Sequence, residues 1–251
     1  MSGAIALAGM ATVKGGAGLV TVAVPDSCLE TVASFFPCYM TVPLPEDGQG
    51  RISRQAEARL SSLCGEATCV ALGPGLGRSS DLDQLVRALF QDLSRPLIVD
   101  ADGLNALAPH IPLAVGGPRI LTPHPGEFRR LIGEDVHDRE ACEARCVALA
   151  RKLNATIILK GHRSLVTDGP NSVHNETGNP GMATGGSGDV LTGLIASLLA
   201  QSLQPFDAAR LAAHLHGVAG DLAAECIGCI GMTALDIVEQ LPRALLRHTR
   251  G

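Results

Sequence analysis

The feature that most limits what this chain of 251 residues can become is its alternation of short aliphatic, β-branched runs with longer amphipathic stretches. Runs at 18–24 (GLVTVAV), 67–72, 96–99, 119–121, 156–159 and 163–166 have the length and residue types of buried strands. Between them, 80–90 and 139–153 carry apolar residues at helical spacing, and an Ala-rich helical stretch at 2–15 precedes the first strand. Strands apolar on both faces and separated by helices predict an α/β fold. Its mostly parallel central sheet lies within three layers, helices cover both faces, and ligands sit beyond the carboxyl ends of the strands. From residue 190 the pattern is helical alone, at 190–203, 206–226 and 234–247, broken at Pro205 and by the turn at 228–231. With no linker, repeat or charge block, one domain over 1–251 is expected.

Composition removes several classes of partner. No apolar run reaches the ~18 to 20 residues of a membrane span, so no membrane partner is expected. A net charge of -5, with no Trp, one Tyr and five Phe, argues against nucleic acid, which is usually held by basic patches and aromatic stacking. Eight scattered cysteines, behind a start that lacks the pattern of a secretory signal, suit a reduced cytoplasm. Cys226 and Cys229 form a C-x-x-C, and Cys142 and Cys146 share a helical face, which raises a zinc site. Neither pair sits in a compact ribbon turn, so all four are read as small buried core thiols.

The chemistry gathers in glycine-rich segments at strand ends. The longest runs from Gly178 to Asp189 (GNPGMATGGSGD) and opens an apolar helix. Backbone N–H groups and the positive helix end then converge on one place, which suits a phosphate or a developing anion. Asp189 is either a carboxylate complementing the helix dipole or a base beside that anion site. A second cluster, Gly73 to Gly77 (GPGLG), lacks the dinucleotide fingerprint spacing and reads as a tight turn that admits a ligand to the backbone. At the end of the 96–99 strand, Asp100 either lines the site or approaches magnesium indirectly, while Asp102 is a helix cap or a further site carboxylate. In LTPHPGEF, two prolines preset His124 for a ligand contact, and Glu127 either caps the next helix or reaches metal and phosphate through water. Lys160 follows three buried aliphatics and either pairs with phosphate or is a solvated edge charge. His137, His174, His214 and His216 have no comparable context and are read as surface or satisfied core residues.

Taken in order, MSGAIALA, GAGLVTV, LGPGLG, VDADGLNAL, LTPHPGEF, LKGHRSLV and GNPGMATGGSGDVLTGLIASLLAQ span almost the whole chain. They resemble the ADP/ATP-dependent NAD(P)H-hydrate dehydratase family of the ribokinase-like superfamily. The resemblance implies a carbon-oxygen lyase of metabolite repair that dehydrates the S epimer of NADHX or NADPHX to NADH or NADPH. ADP is then converted to AMP, or ATP to ADP, with release of phosphate, and Mg²⁺ accompanies the nucleotide. It implies Asp189 as catalytic base, the N–H groups of Gly186, Ser187 and Gly188 as anion hole, and Gly188 also at the nucleotide. Lys160, Gly161, His162, Arg163 and Ser164 match the nucleotide-binding segment. Ala4, Gly75 and His124, with Asp189, match contacts to the hydrated dinucleotide, and Asn179 is a further candidate within the long loop. A homo-oligomer and a separate NAD(P)H-hydrate epimerase are the implied protein partners. Family members carry an additional strand before the segment matching Met1 to Ala4, so the expectation is either a chain start that is truncated or mis-assigned, or a narrower sheet lacking that first strand. Two other readings remain: a kinase of a small alcohol, such as a vitamin precursor, and an inactive nucleotide-binding regulator.

Overall fold

The structure, a computed structural model, describes residues 1–108, 111 and 115–249. Helix α1 (Ser2–Lys14) is followed by strand β1 (Thr21–Pro25), helix α2 (Leu29–Phe35) and strand β2 (Met40–Leu44). Next come α3 (Glu57–Glu66), β3 (Val70–Leu72), α4 (Ser80–Asp92), β4 (Leu97–Val99) and α5 (Ala101–Leu107). They are followed by β5 (Arg119–Leu121), α6 (Pro125–Ile132) and α7 (Arg139–Leu153). Strands β6 (Thr156–Leu159), β7 (Leu165–Thr167) and β8 (Ser172–His174) lead to the closing helices α8 (Ser187–Ala200), α9 (Pro205–Ile227) and α10 (Ala234–Thr249).

Strands β3 to β8 lie side by side in chain order. The first four run parallel, while β7 and β8 turn back antiparallel. Every residue of β4, β5 and β6 is buried, as expected of parallel strands covered on both faces. Their side chains sort with a period of two: Ile98, Ile120 and Ile158 pack with α1, α8, α9 and α10, whereas Leu97, Leu121 and Ile157 face α4 to α7. This is the three-layer arrangement read from the sequence. Helix α9, apolar enough for a core or an interface, buries its alanines and leucines in the first of these cores.

One difference concerns the other strands. β1 and β2 pair with each other in parallel as a sheet of their own and do not extend the six-stranded one. Helix α1 joins the two sheets, since Ile5, Met10 and Val13 pack against the core around β1 while Leu7, Met10 and Ala11 pack into the core that includes Cys69 and Ala71. Strand β2 escaped the periodicity reading because Pro43 interrupts it and only Leu44 is buried. Such residues belong on a sparsely covered edge.

At the amino end of β5, Arg119 is only 1% exposed and donates to the carbonyls of Leu89, Phe90, Leu93, Arg95 and Pro118. Leu89 and Phe90 belong to the last turn of α4, so the guanidinium satisfies carbonyls that a helix end leaves without partners. Burial pulls its pKa down to about 10.

Candidate active site

The carboxyl ends of four parallel strands open on one side of the sheet. β3 ends at the 73–77 turn, β4 at Asp100, β5 before His124 and β6 at Lys160. The amino end of α8 approaches from the 178–189 loop, and Gly186 stands at its N-cap with φ of 91°. A side chain would strain that backbone, so the glycine lets the helix begin within the loop, at Ser187 and not at residue 190. The Ser187 N–H donates to the Thr184 carbonyl at 3.4 Å, and the next N–H groups of the first turn face the loop as donors for a ligand.

Lys160 is neither a solvated edge charge nor free for phosphate alone. Its Nζ donates to Asp100 Oδ1 at 2.8 Å and lies 3.8 Å from Glu127 Oε2. Asp100 Oδ2 accepts from Thr192 Oγ1 at 2.8 Å, which ties the end of β4 to α8. A Cβ on Gly188 would stand 3.2 Å from the same ammonium, so Lys160 lies against the backbone proposed as anion hole. Asp102 does not cap the helix, since Asp100 holds the N-cap position of α5 without a side-chain capping bond. Asp102 instead accepts from the Gly77 N–H at 2.9 Å, bracing the 73–77 turn.

Asp189 sits half-buried in the first turn of α8, and among the described residues no donor bonds its carboxylate. Burial pushes its pKa up to about 6, assisted by the charge of Asp100 and opposed by Lys160. That value suits a general base near neutral pH. Beside it, Ser187 Oγ lies 3.3 Å from His216 Nε2. Burial drives the pKa of His216 down to about 4, so this imidazole is neutral at physiological pH. His216 is thus a largely buried, hydrogen-bonded core residue, as the sequence reading allowed, and its partner lies in the segment proposed as anion site. No local signal marked it, nor Thr192, since both lie within long apolar helices.

In the TPHPGE turn Glu127 caps the following helix. His124 Nδ1 accepts from the Gly126 and Glu127 N–H groups, and Glu127 returns a bond to the His124 N–H at 2.9 Å, forming a capping box at α6. The same buried carboxylate leans toward Lys160. The His124 ring stays half-exposed, with its pKa lowered chiefly by burial. Ala4 is buried in α1, whose start meets the 73–77 turn, because the Met1 ammonium donates to the Gly75 carbonyl at 2.6 Å. In the β6–β7 turn, Ser164 Oγ bonds both the N–H and the carbonyl of Gly161, His162 is exposed, and Arg163 pairs with Glu176.

Asn179 braces the long loop through Asp221 on α9 at 3.0 Å and caps the turn at Gly181. Cys229 Sγ lies 3.5 Å from Asn179 Oδ1. Cys142 and Cys146 are buried as expected, but Cys226 and Cys229 are exposed in and beside the α9–α10 turn, so their reading as core thiols is corrected.

Comparisons with known proteins identify what the chain is similar to. A family profile described as NAD(P)H-hydrate dehydratase matches residues 1–243. The bifunctional NAD(P)H-hydrate repair enzyme of Moorella thermoacetica is 45% identical over 98% of this chain and 47% of its own length. The chain thus spans about half the length of the bifunctional relatives it matches. The ADP-dependent (S)-NAD(P)H-hydrate dehydratase of Xanthomonas campestris is 35% identical over 99% of this chain and 86% of that protein. The ADP/ATP-dependent NAD(P)H-hydrate dehydratase of Bacillus subtilis, co-crystallised with ATP and Mg²⁺, superposes with a TM-score of 0.82 at 28% identity, covering 98% of this chain and 85% of the other. No described helix is long and apolar enough to cross a membrane.

Proposed function

This chain belongs to the NAD(P)H-hydrate dehydratase family, and on that premise we propose that it dehydrates the S epimer of NADHX or NADPHX with ADP or ATP as phosphate donor. The observation that carries the proposal is Asp189, a carboxylate with raised pKa placed at a helix amino end beside Gly188 and Lys160. A ring hydroxyl is a poor leaving group. Asp189 takes its proton as the oxygen attacks the terminal phosphorus of the nucleotide. The bond from that phosphorus to the bridging oxygen breaks, which releases AMP from ADP or ADP from ATP. The electron pair of the ring nitrogen then expels inorganic phosphate from the ring carbon, and loss of a proton from the neighbouring carbon restores the reduced nicotinamide.

Such transfer depends on placement and charge stabilisation more than on covalent help. The N–H groups at Gly186 to Gly188 and the Lys160 ammonium would supply both, while Ser164 closes the turn that carries Lys160 to Ser164. Ala4, Gly75 and His124 would border the hydrated dinucleotide. Asp100 and Glu127 are already engaged with Lys160, and among the described residues no three His, Cys, Asp or Glu side chains gather to hold a metal. Magnesium therefore fits as the counter-ion of the nucleotide phosphates, a part of the substrate. A separate NAD(P)H-hydrate epimerase would convert the other epimer.

Purified protein given S-NADHX, magnesium and either nucleotide should regain the absorbance of reduced nicotinamide, and Asp189→Asn should lose this turnover while still binding nucleotide. No recovery with either nucleotide would remove the dehydratase reading. Accumulation of a stable phosphorylated alcohol would favour the kinase.

A further inference from the structure

Asp100 stands where an aspartate ordinarily accepts a backbone N–H of its own helix, yet its side chain makes no such bond. Both oxygens leave α5 instead, one to Lys160 and one to Thr192, each at 2.8 Å. The turn that aims the carboxylate is strained. Ala101, the next residue, has φ of 48°, which a residue with a Cβ rarely adopts outside sites that require it. Gly73 yields space on the other side, since a Cβ there would overlap the Asp100 carbonyl oxygen. At 1% exposure the carboxylate acts on its partners with little screening by water. It thereby joins the ends of β4 and β6 to α8 at Thr192, one turn beyond Asp189.

We infer that Asp100 is a positioning residue that grips Lys160 and Thr192 so that the ammonium lies against Gly188, in register with the α8 terminus, where the transferred phosphate is to be held. The inference rests on the proposed nucleotide-dependent reading of this site. A lysine carries a compact charge on a flexible stem, and without an anchor its ammonium would wander over several rotamers. A merely structural ion pair would stabilise the fold without its loss depending on what Lys160 does for nucleotide.

A double-mutant cycle separates the two roles. Asp100→Asn keeps the shape and can still accept from Thr192, whereas Lys160→Met removes the ammonium. Calorimetric titration with ATP and magnesium should show Asp100→Asn binding roughly tenfold more weakly than wild type, Lys160→Met weaker still, and the double variant no weaker than Lys160→Met. Additive losses, or Asp100→Asn binding ATP as wild type does, overturn the inference. Should Asp100→Asn not fold, Thr192→Val removes only the second grip and should weaken binding roughly threefold. No loss there overturns the inference as well.

A second measurement needs no nucleotide. The rate at which an N-hydroxysuccinimide ester labels Lys160, followed by peptide mass spectrometry on folded protein, should rise several-fold in Asp100→Asn, and equal rates count against the anchor. If wild type binds neither ADP nor ATP, the proposed function falls, and the labelling rates still decide whether Asp100 holds Lys160.

Discussion

Asp189 shows what the site asks of a single residue. Burial, and secondarily the charge of Asp100, lifts its pKa from the ordinary 3.8 to about 6 against the pull of Lys160. The ionised form is thus less favourable in the fold than in the unfolded chain. Below the ordinary value both states hold the proton and nothing is lost. As pH rises through the interval the unfolded chain releases its proton first, and the full penalty is present above about pH 6. Asp189→Asn removes that penalty. The variant should be inactive yet more stable than wild type near pH 8, by about 1 to 2 kcal/mol after allowing for partial exposure, and equally stable below about pH 3.5. Thermal melts at the two pH values check this, and a variant no more stable near pH 8 would place the carboxylate in a wetter setting. The glycine loop made Asp189 legible in the sequence. Asp100 was readable only as a strand-end carboxylate, because its two partners lie 60 and 92 residues away. The partner of His216 was hidden for the same reason, since its contact to Ser187 spans 29 residues.

Helix α8 has two duties, to present its amino end and to lie closely along α1. The second rests on Gly193, where a Cβ would overlap the Ala8 carbonyl oxygen, and on Thr12, whose hydroxyl bonds the Gly193 carbonyl at 3.0 Å. Gly193→Ala therefore sets two effects against each other. Alanine improves helix propensity by about 1 kcal/mol, but the overlapping atom belongs to a backbone that cannot rotate aside, and such overpacking costs about 1 to 3 kcal/mol. Overlap should win, so urea unfolding should show a net loss of stability. Gly185→Ala, where an added Cβ meets nothing within 4 Å, should be close to neutral and serves as control. A stabilised Gly193→Ala would mean that α1 and α8 can part without loss. At this scale the sequence was uneven: α7 forms over 139–153 as its spacing predicted, whereas β2 was missed because a proline and a single buried residue leave no alternation to detect.

For the molecule as a whole, alternation of strand and helix pointed to the carboxyl ends of the parallel strands, and Gly73, Asp100, His124 and Lys160 are found together there. It could not show that β1 and β2 form a second sheet, because hydrogen-bond partnership between strands leaves no mark on their local composition. The two sheets differ in how firmly their strands are held. β4, β5 and β6 have partners on both edges and no exposed residue. Among the described residues β1 and β2 have one partner each, and β1 begins with an exposed Thr21 while β2 buries only Leu44. Local opening is easiest where few buried contacts and single-sided ladders must break. Hydrogen exchange followed by mass spectrometry should therefore find peptides over 21–25 and 40–44 exchanging at least roughly tenfold faster than those over 97–99, 119–121 and 156–159. Equal protection would mean that the α1 bridge couples the sheets into one cooperative unit. Loosening of β1 and β2 alone should leave the strand ends that carry Asp100 and Lys160 in place, so nucleotide should slow exchange at 157–164 more than at 40–44.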